Sequence, residues 1–204
     1  MAKKGFDPFD YPKARIPKYY PVNNIVLFFD IVEFTKIPTN EEMMRIIQKI
    51  ENVINSLLWE DYNWNEKNKH NDLILIPTGD GYGIGFHPNF EAEKTLKMAS
   101  ELFVELTTGN GFKIRMGLAR GPNVRHLDRN DVPNLFGYGI NLANRVMSVA
   151  LADQVLVHGD LASDILRTGK IKKQELVAIS EPLEIKHGEK IKVYEYKVHT
   201  EKVG

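Results

Sequence analysis

The 204-residue sequence contains no cysteine. Disulfides, thiolate catalysis and cysteine-bound zinc are thereby excluded, and the chain fits a reducing compartment. Net charge is absent as well, with 27 basic residues set against 27 acidic ones. A nucleic-acid-binding surface normally brings a basic surplus, so the balance speaks against one. It leaves room for a nucleotide, whose phosphates need only a local basic cluster. No apolar run approaches the length of a membrane span, and the N-terminus lacks the apolar core of a signal peptide. A soluble, cytoplasmic protein that engages no membrane is expected. His70, His87, His126, His158, His187 and His199 are scattered without metal-ligand spacing. There is no Gly-Lys-Ser/Thr phosphate loop, and nothing local supports Ser-His-Asp catalysis. What is present is ordinary globular composition, 43% hydrophobic and 26% charged, enough for one full core.

Residues 1–22 mix lysines, aromatics and prolines and read as an irregular arm, either a strap packed on the body or a regulatory or exchanged segment. No repeat, low-complexity tract or interior linker divides 23–204, which is expected to form one domain. A strand is expected at about 25–30. Thr39 and Glu42 form a capping-box signature before a stripe of Met43, Ile46, Ile47, Ile50, Val53, Ile54, Leu57 and Leu58. Trp59, Tyr62 and Trp64 read as packing aromatics. A hairpin follows at 73–86, then a helix capped by Asn89 and ended by Gly109-Asn110-Gly111, then an alternating strand at 112–120. This β-α-β-β-α-β order predicts an α+β fold with a ferredoxin-like core, helices on one face of an antiparallel sheet. Added to it are a polar loop at 121–134, a helix at 137–147, a strand at 154–158, a helix opening at Asp160, and late strands near 174–180 and 191–198.

Two stretches carry candidate chemistry. Thr78-Gly79-Asp80-Gly81 joins two apolar runs, and Asp80 reads plainly as a turn former. Ile25-Val26-Leu27-Phe28-Phe29-Asp30 is an apolar strand ending in an acid, and a buried carboxylate needs a partner or a metal. If the two stretches are neighbours, Asp30 and Asp80 supply hard oxygen donors to Mg²⁺ or Mn²⁺. Asn141 and Arg145 stand four apart on the helix at 137–147 and so share a face. They are either a solvated pair or an amide and guanidinium presented to a phosphate or ribose. Arg115, Arg120, Arg125, Lys186 and Lys190 are further candidate phosphate contacts; each also reads as a surface charge, Arg115 as a strand residue facing solvent.

Taken in order, these motifs resemble the catalytic domain of class III nucleotidyl cyclases. Phe29-Asp30-Ile31-Val32-Glu33-Phe34-Thr35 and Thr78-Gly79-Asp80-Gly81-Tyr82 are similar to the family's metal motifs. Arg115-Met116-Gly117-Leu118-Ala119-Arg120-Gly121 is similar to its central strand. Gly137-Tyr138-Gly139-Ile140-Asn141-Leu142-Ala143-Asn144-Arg145 is similar to its asparagine–arginine helix, and Gln154-Val155-Leu156-Val157 to the strand after it. The resemblance spans about 25–197. It implies two divalent cations, Mn²⁺ or Mg²⁺, held by Asp30, Asp80 and the Ile31 carbonyl. It implies that Arg145 stabilises charge on the α-phosphate, that Asn141 orients the ribose, and that Lys186 or Lys190 meets the terminal phosphates. It also implies a head-to-tail homodimer whose sites lie between subunits, metal residues from one chain and Asn141 and Arg145 from the other.

The base-reading positions depart from familiar members of that family. Ile76 stands where adenylate cyclases have lysine and guanylate cyclases glutamate, and Asn134 where adenylate cyclases have aspartate. Taken alone, Ile76 reads as strand core and Asn134 as a loop residue. The compact chain further resembles bacterial pyrimidine cyclases of anti-phage systems. That resemblance implies a UTP-preferring cyclase making a cyclic pyrimidine nucleotide for a separate effector protein. The alternatives are an adenylate cyclase with an altered pocket and an inactive cyclase-like domain that binds a nucleotide or partner.

Overall fold

The computed structural model describes residues 21–57, 73–128, 130, 132–185 and 188–198. The expected arm over 1–22 thus falls almost wholly outside the described residues, as do Trp59, Tyr62, Trp64 and Lys186.

Strand β1 (Val22–Ile31) is buried on both faces from Asn24 onward, which is why its sequence is a continuous apolar run rather than an alternating one. Helix α1 (Asn40–Ser56) begins where expected, with Thr39 Oγ1 accepting the Glu42 N–H at 3.2 Å. Strands β2 (Leu73–Pro77) and β3 (Gly81–Phe86) make the hairpin, and Gly79 at φ 98° takes the left-handed conformation its turn needs. Helix α2 (Ala92–Val104) runs on through a wider turn over Glu105–Gly109 into β4 (Ile114–Leu127). Next come β5 (Pro133–Gly137), α3 (Tyr138–Ser148), β6 (Gln154–His158) and α4 (Gly159–Thr168). Four short strands close the chain: β7 (Leu176–Ala178), β8 (Leu183–Glu184), β9 (Lys190–Ile191) and β10 (Val193–Tyr196).

The main sheet has eight strands in the order β2-β3-β1-β4-β6-β10-β7, with β5 pairing the far half of β4. Its first four strands reproduce the expected ferredoxin-like order. Within the sheet β4 and β6 run parallel, while the other pairings are antiparallel. Helices α1 and α2 of the ferredoxin-like core share one face, as expected, and of the added helices α4 joins them while α3 does not. Residues of α1, α2 and α4 pack with Leu27, Phe29, Met116 and Leu118 on one side. Helix α3 packs with Val26, Phe28 and Ala119 on the other, joined by Ile185 and Ile191 from the β8–β9 ribbon. Helix α3 reaches the sheet at Gly117, where a Cβ would lie 2.1 Å from the Met147 nitrogen. Only glycine permits that backbone-to-backbone approach.

Two further expectations change. The polar stretch 121–134 is largely strand rather than loop, because β4 extends to Leu127 and pairs antiparallel with β5. Asn89 does not cap α2; that helix starts after Glu91, without a side-chain cap. Among the described residues no helix is long and apolar enough to cross a membrane.

Candidate active site

Asp30 closes β1, facing Gly81 of β3 on one flank and Arg115 of β4 on the other. The residue is buried, at 6% exposure. Cross-strand partners project to the same face, so Arg115 meets Asp30 side by side. Arg115 Nε donates to Asp30 Oδ1 at 2.7 Å and Nη2 to Oδ2 at 2.8 Å, a two-pronged charged pair. Arg115 therefore does not simply face solvent. The hydrogen bonds that Arg115 donates to Asp30 hold its pKa above the usual arginine value, with the charges of Asp30 and Asp80 adding to the effect and burial opposing it.

Asp80 joins this corner through the backbone. Ile31 donates its N–H to the Asp80 carbonyl at 3.0 Å. A strand residue projects N–H and C=O to the same side, so the Ile31 carbonyl also points toward the hairpin turn. Asp30, Asp80 and the Ile31 carbonyl are thus brought together as an all-oxygen corner. Among the described residues no cluster of three or more acidic, histidine or cysteine side chains forms. One guanidinium against two carboxylates leaves negative charge in excess. Such a donor set fits Mg²⁺ or Mn²⁺, which take their remaining ligands from water and phosphate. Beside this corner, Tyr82 donates its hydroxyl to Glu51 at 2.8 Å, tying the hairpin to α1. Burial, reinforced by Glu51, pushes the Tyr82 phenol up to about 12.

Asn141 and Arg145 lie elsewhere. Asn141 is exposed on α3, and Arg145 Nη1 pairs with Glu189 Oε2 at 3.0 Å. Lys190, next to Glu189, is exposed and pairs in register with Glu184. Among the described residues no hydrogen bond or ion pair joins Asn141 or Arg145 to Asp30 or Asp80. Arg120 is a correction: it pairs with Asp164 at 2.6 Å on the three-helix side, across the sheet from Asp30. Arg125 is exposed on the β4–β5 arm.

Strands β2 and β5, which carry Ile76 and Asn134, contact one another. Ile76 is half-buried against the cluster on the α3 side, and Leu135 belongs to that same cluster. Asn134 is half-buried, and its Oδ1 accepts the Leu135 N–H at 2.7 Å. A backbone N–H can only be met by the amide oxygen, which fixes the NH₂ as the opposite end of the Asn134 amide.

Sequence reasoning missed two groups that position the site. In the sequence Arg115 stands as a candidate phosphate contact or a surface charge, and its pairing with Asp30 is hidden there because the partner lies 85 positions away. The buried pair Asn24 and Asn123 was missed as well; Asn123 Nδ2 donates to Asn24 Oδ1 at 2.7 Å. Two asparagines in strands otherwise rich in apolar residues were the available signal.

This fold, with its paired acids and its separate asparagine–arginine helix, matches the family model for the adenylate and guanylate cyclase catalytic domain over residues 18–199. The chain belongs to that family. As a nucleotidyl cyclase catalytic domain it is similar to the guanylate cyclase domain of RhGC from Catenaria anguillulae, solved in complex with GTP. That likeness has 23% identity and a TM-score of 0.69, covering 89% of this chain and 98% of the other. The adenylyl cyclase CyaB from P. aeruginosa superposes with a TM-score of 0.66 at 16% identity, covering 86% and 94%. Adenylate cyclases from Trypanosoma brucei, solved in their monomeric state, give 0.65 at 15% identity, covering 91% and 94%. At these identities the likeness is one of fold. Among curated proteins no sequence matches this cyclase domain significantly.

Proposed function

We propose that this cyclase domain converts UTP to its 3′,5′-cyclic monophosphate and pyrophosphate, at sites formed between two copies of the chain. The observation that carries the reading is the division of the catalytic residues into two separate groups. Asp30 and Asp80 sit where β1 meets the hairpin, Arg145 on α3 is engaged by Glu189, and among the described residues no hydrogen bond or ion pair joins the two groups. A head-to-tail dimer supplies each group from a different subunit, giving two equivalent sites.

In that arrangement Asp30, Asp80 and the Ile31 carbonyl would hold two divalent cations, Mg²⁺ or Mn²⁺. When bound, such ions supply charge neutralisation to the triphosphate and acidify the ribose 3′-hydroxyl. The 3′-oxygen attacks the α-phosphorus in line, and pyrophosphate leaves. Arg145 stabilises the charge that develops on the α-phosphate, and Asn141 orients the ribose. Lys186 or Lys190 meets the terminal phosphates.

The choice of base rests on Ile76 and Asn134. In an adenylate cyclase the aspartate at this position accepts a hydrogen bond, and the adenine group able to donate there is its exocyclic amine. In this reading Asn134, its oxygen engaged by the Leu135 N–H, presents its NH₂ there. An NH₂ suits the carbonyl of uracil and opposes the amine of cytosine or adenine. Guanine also carries a carbonyl there, but its neighbouring N–H groups would meet Ile76, which accepts no hydrogen bond. Buried donors left unpaired cost about 1–3 kcal/mol each. In this reading the product serves as a second messenger in anti-phage defence, read by a separate effector protein.

The test is incubation of purified protein with ATP, GTP, CTP and UTP in turn, with Mn²⁺, and identification of the products. Cyclic UMP as the main product is expected. Cyclic AMP as the main product overturns the base assignment, and no turnover of any nucleotide leaves a binding domain instead.

A further inference from the structure

The Asp30 carboxylate is the most buried group of the acidic corner, and both of its oxygens are already engaged. Both oxygens receive hydrogen bonds from one guanidinium, at 2.7 and 2.8 Å. A buried carboxylate without a partner is strongly unfavourable, so the metal-free protein needs a cation at this place. The two partners differ in freedom. Asp30 is fixed in the middle of three paired strands with 8% of its side chain exposed, whereas Arg115 keeps 34% of its side chain in solvent. Its register neighbour on the other flank, Gly81, brings no side chain of its own. Any rearrangement at Asp30 is therefore made by Arg115.

We infer that Arg115 is a resident counter-ion that competes with divalent cations for Asp30, so that metal loading requires its guanidinium to swing away. The inference rests on the proposed reading of Asp30 as a metal ligand. The competition follows from charge and from lone pairs. A carboxylate offers about four acceptor positions, and the two-pronged pair takes one on each oxygen. A divalent ion seated on the same oxygens would also lie within a few ångströms of a fixed positive charge, where repulsion is weakly screened. Arg115 would thus keep the corner intact and uncommitted in the absence of metal, and would set how much cation is needed to load it.

The experiment measures Mn²⁺ binding to the full chain without nucleotide, by calorimetric titration and by the electron paramagnetic resonance of free Mn²⁺. The proteins compared are the wild type, Arg115→Gln, Arg115→Lys and Asp30→Asn. Arg115→Gln should bind Mn²⁺ about tenfold more tightly than wild type, since a neutral amide cannot replace the ion pair. Arg115→Lys should fall between them, because an ammonium makes one contact where the guanidinium makes two. Unchanged or weaker binding in both Arg115 variants, with binding lost in Asp30→Asn, overturns the competition and leaves the metal role of Asp30 standing. Full binding in Asp30→Asn removes that role, and this inference with it. A wild-type measurement guards against variants that fail to fold. The Arg115 side-chain Nε–H resonance should be protected from solvent exchange in the metal-free protein and lose that protection at saturating Mg²⁺. Protection that persists with Mg²⁺ bound overturns the inference.

Discussion

Asn123 Oδ1 accepts the Ile140 N–H at 2.8 Å, joining the middle of β4 to the first turn of α3. Helix α3 has no side-chain cap of its own, since Gly137 stands at its N-cap. Asn123, fully buried, supplies the missing acceptor from a neighbouring strand and binds Asn24 with its other end. Asn24 in turn donates to the Phe86 carbonyl at 3.1 Å. This chain of bonds runs from β3 through β1 and β4 to the helix that carries Asn141 and Arg145.

Truncating Asn123 should therefore destabilise the whole domain. Asn123→Ala removes a cap worth about 1 kcal/mol. It also leaves the buried Asn24 Oδ1 and the Ile140 N–H unpaired, at about 1–3 kcal/mol. A total loss of about 2–4 kcal/mol corresponds to a melting temperature lower by roughly 5–15 °C. Thermal denaturation followed by circular dichroism measures it. A shift under about 2 °C would mean that water or a neighbouring side chain satisfies these groups.

That network marks where reading the chain stopped. The apolar run of β1, the Thr39–Glu42 cap and the hairpin around Gly79 are local signals, and each fell where local chemistry put it. The far half of β4 did not, because an arm with exposed residues such as Arg125 and Leu127 carries the composition of a loop. The Arg115–Asp30 pair depends on the register of two strands brought together from distant segments. Nothing in either segment states that register. The sequence joins Asp30 to Asp80 only on the condition that β1 lies beside the hairpin, and the pairing of β1 with β3 meets that condition.

His158 gives the fold a pH dependence on the acid side. Its side chain is 14% exposed, and its Nδ1 is buried without a hydrogen-bond partner among the described residues. Burial lowers its pKa below 6.5, against the opposing pull of Asp160 and Glu189. Above that value both folded and unfolded chains hold a neutral imidazole. As the pH falls through it, the unfolded chain takes up a proton that the folded chain resists, so stability declines until the folded value is passed. Melting temperature should therefore fall between about pH 7 and pH 5, and His158→Gln should flatten part of that slope. Parallel slopes in the two proteins would assign the acid sensitivity to other groups.

Base choice should move with two substitutions. Ile76→Lys with Asn134→Asp places a donor and an acceptor where adenine offers an acceptor and a donor. A site built to hydrogen-bond one edge rejects a mismatched edge strongly, by about 10⁴-fold in the most developed cases. A partial switch is expected here, with the ratio of kcat/KM for ATP over UTP rising by roughly 10²-fold, about 2.7 kcal/mol. The ratio is measured from product formation with each nucleotide alone. An unchanged ratio would show that neither residue touches the base.

The division of the site between subunits is tested by mixing two inactive proteins. Asp30→Asn disables the proposed metal corner, and Arg145→Ala removes the charge proposed to meet the α-phosphate. Each homodimer should be inactive, because each of its sites lacks one essential group. When the proteins are mixed in equal amounts and allowed to exchange, half of the dimers are mixed. In every mixed dimer one site carries both lesions and the other carries neither. Activity should then return to about a quarter of wild type, the fraction of sites left whole. A site contained within one chain could not be rescued in this way, since every chain in the mixture is damaged. No recovery, with subunit exchange verified by a differently tagged partner, would place both groups in one chain and end the shared-site reading.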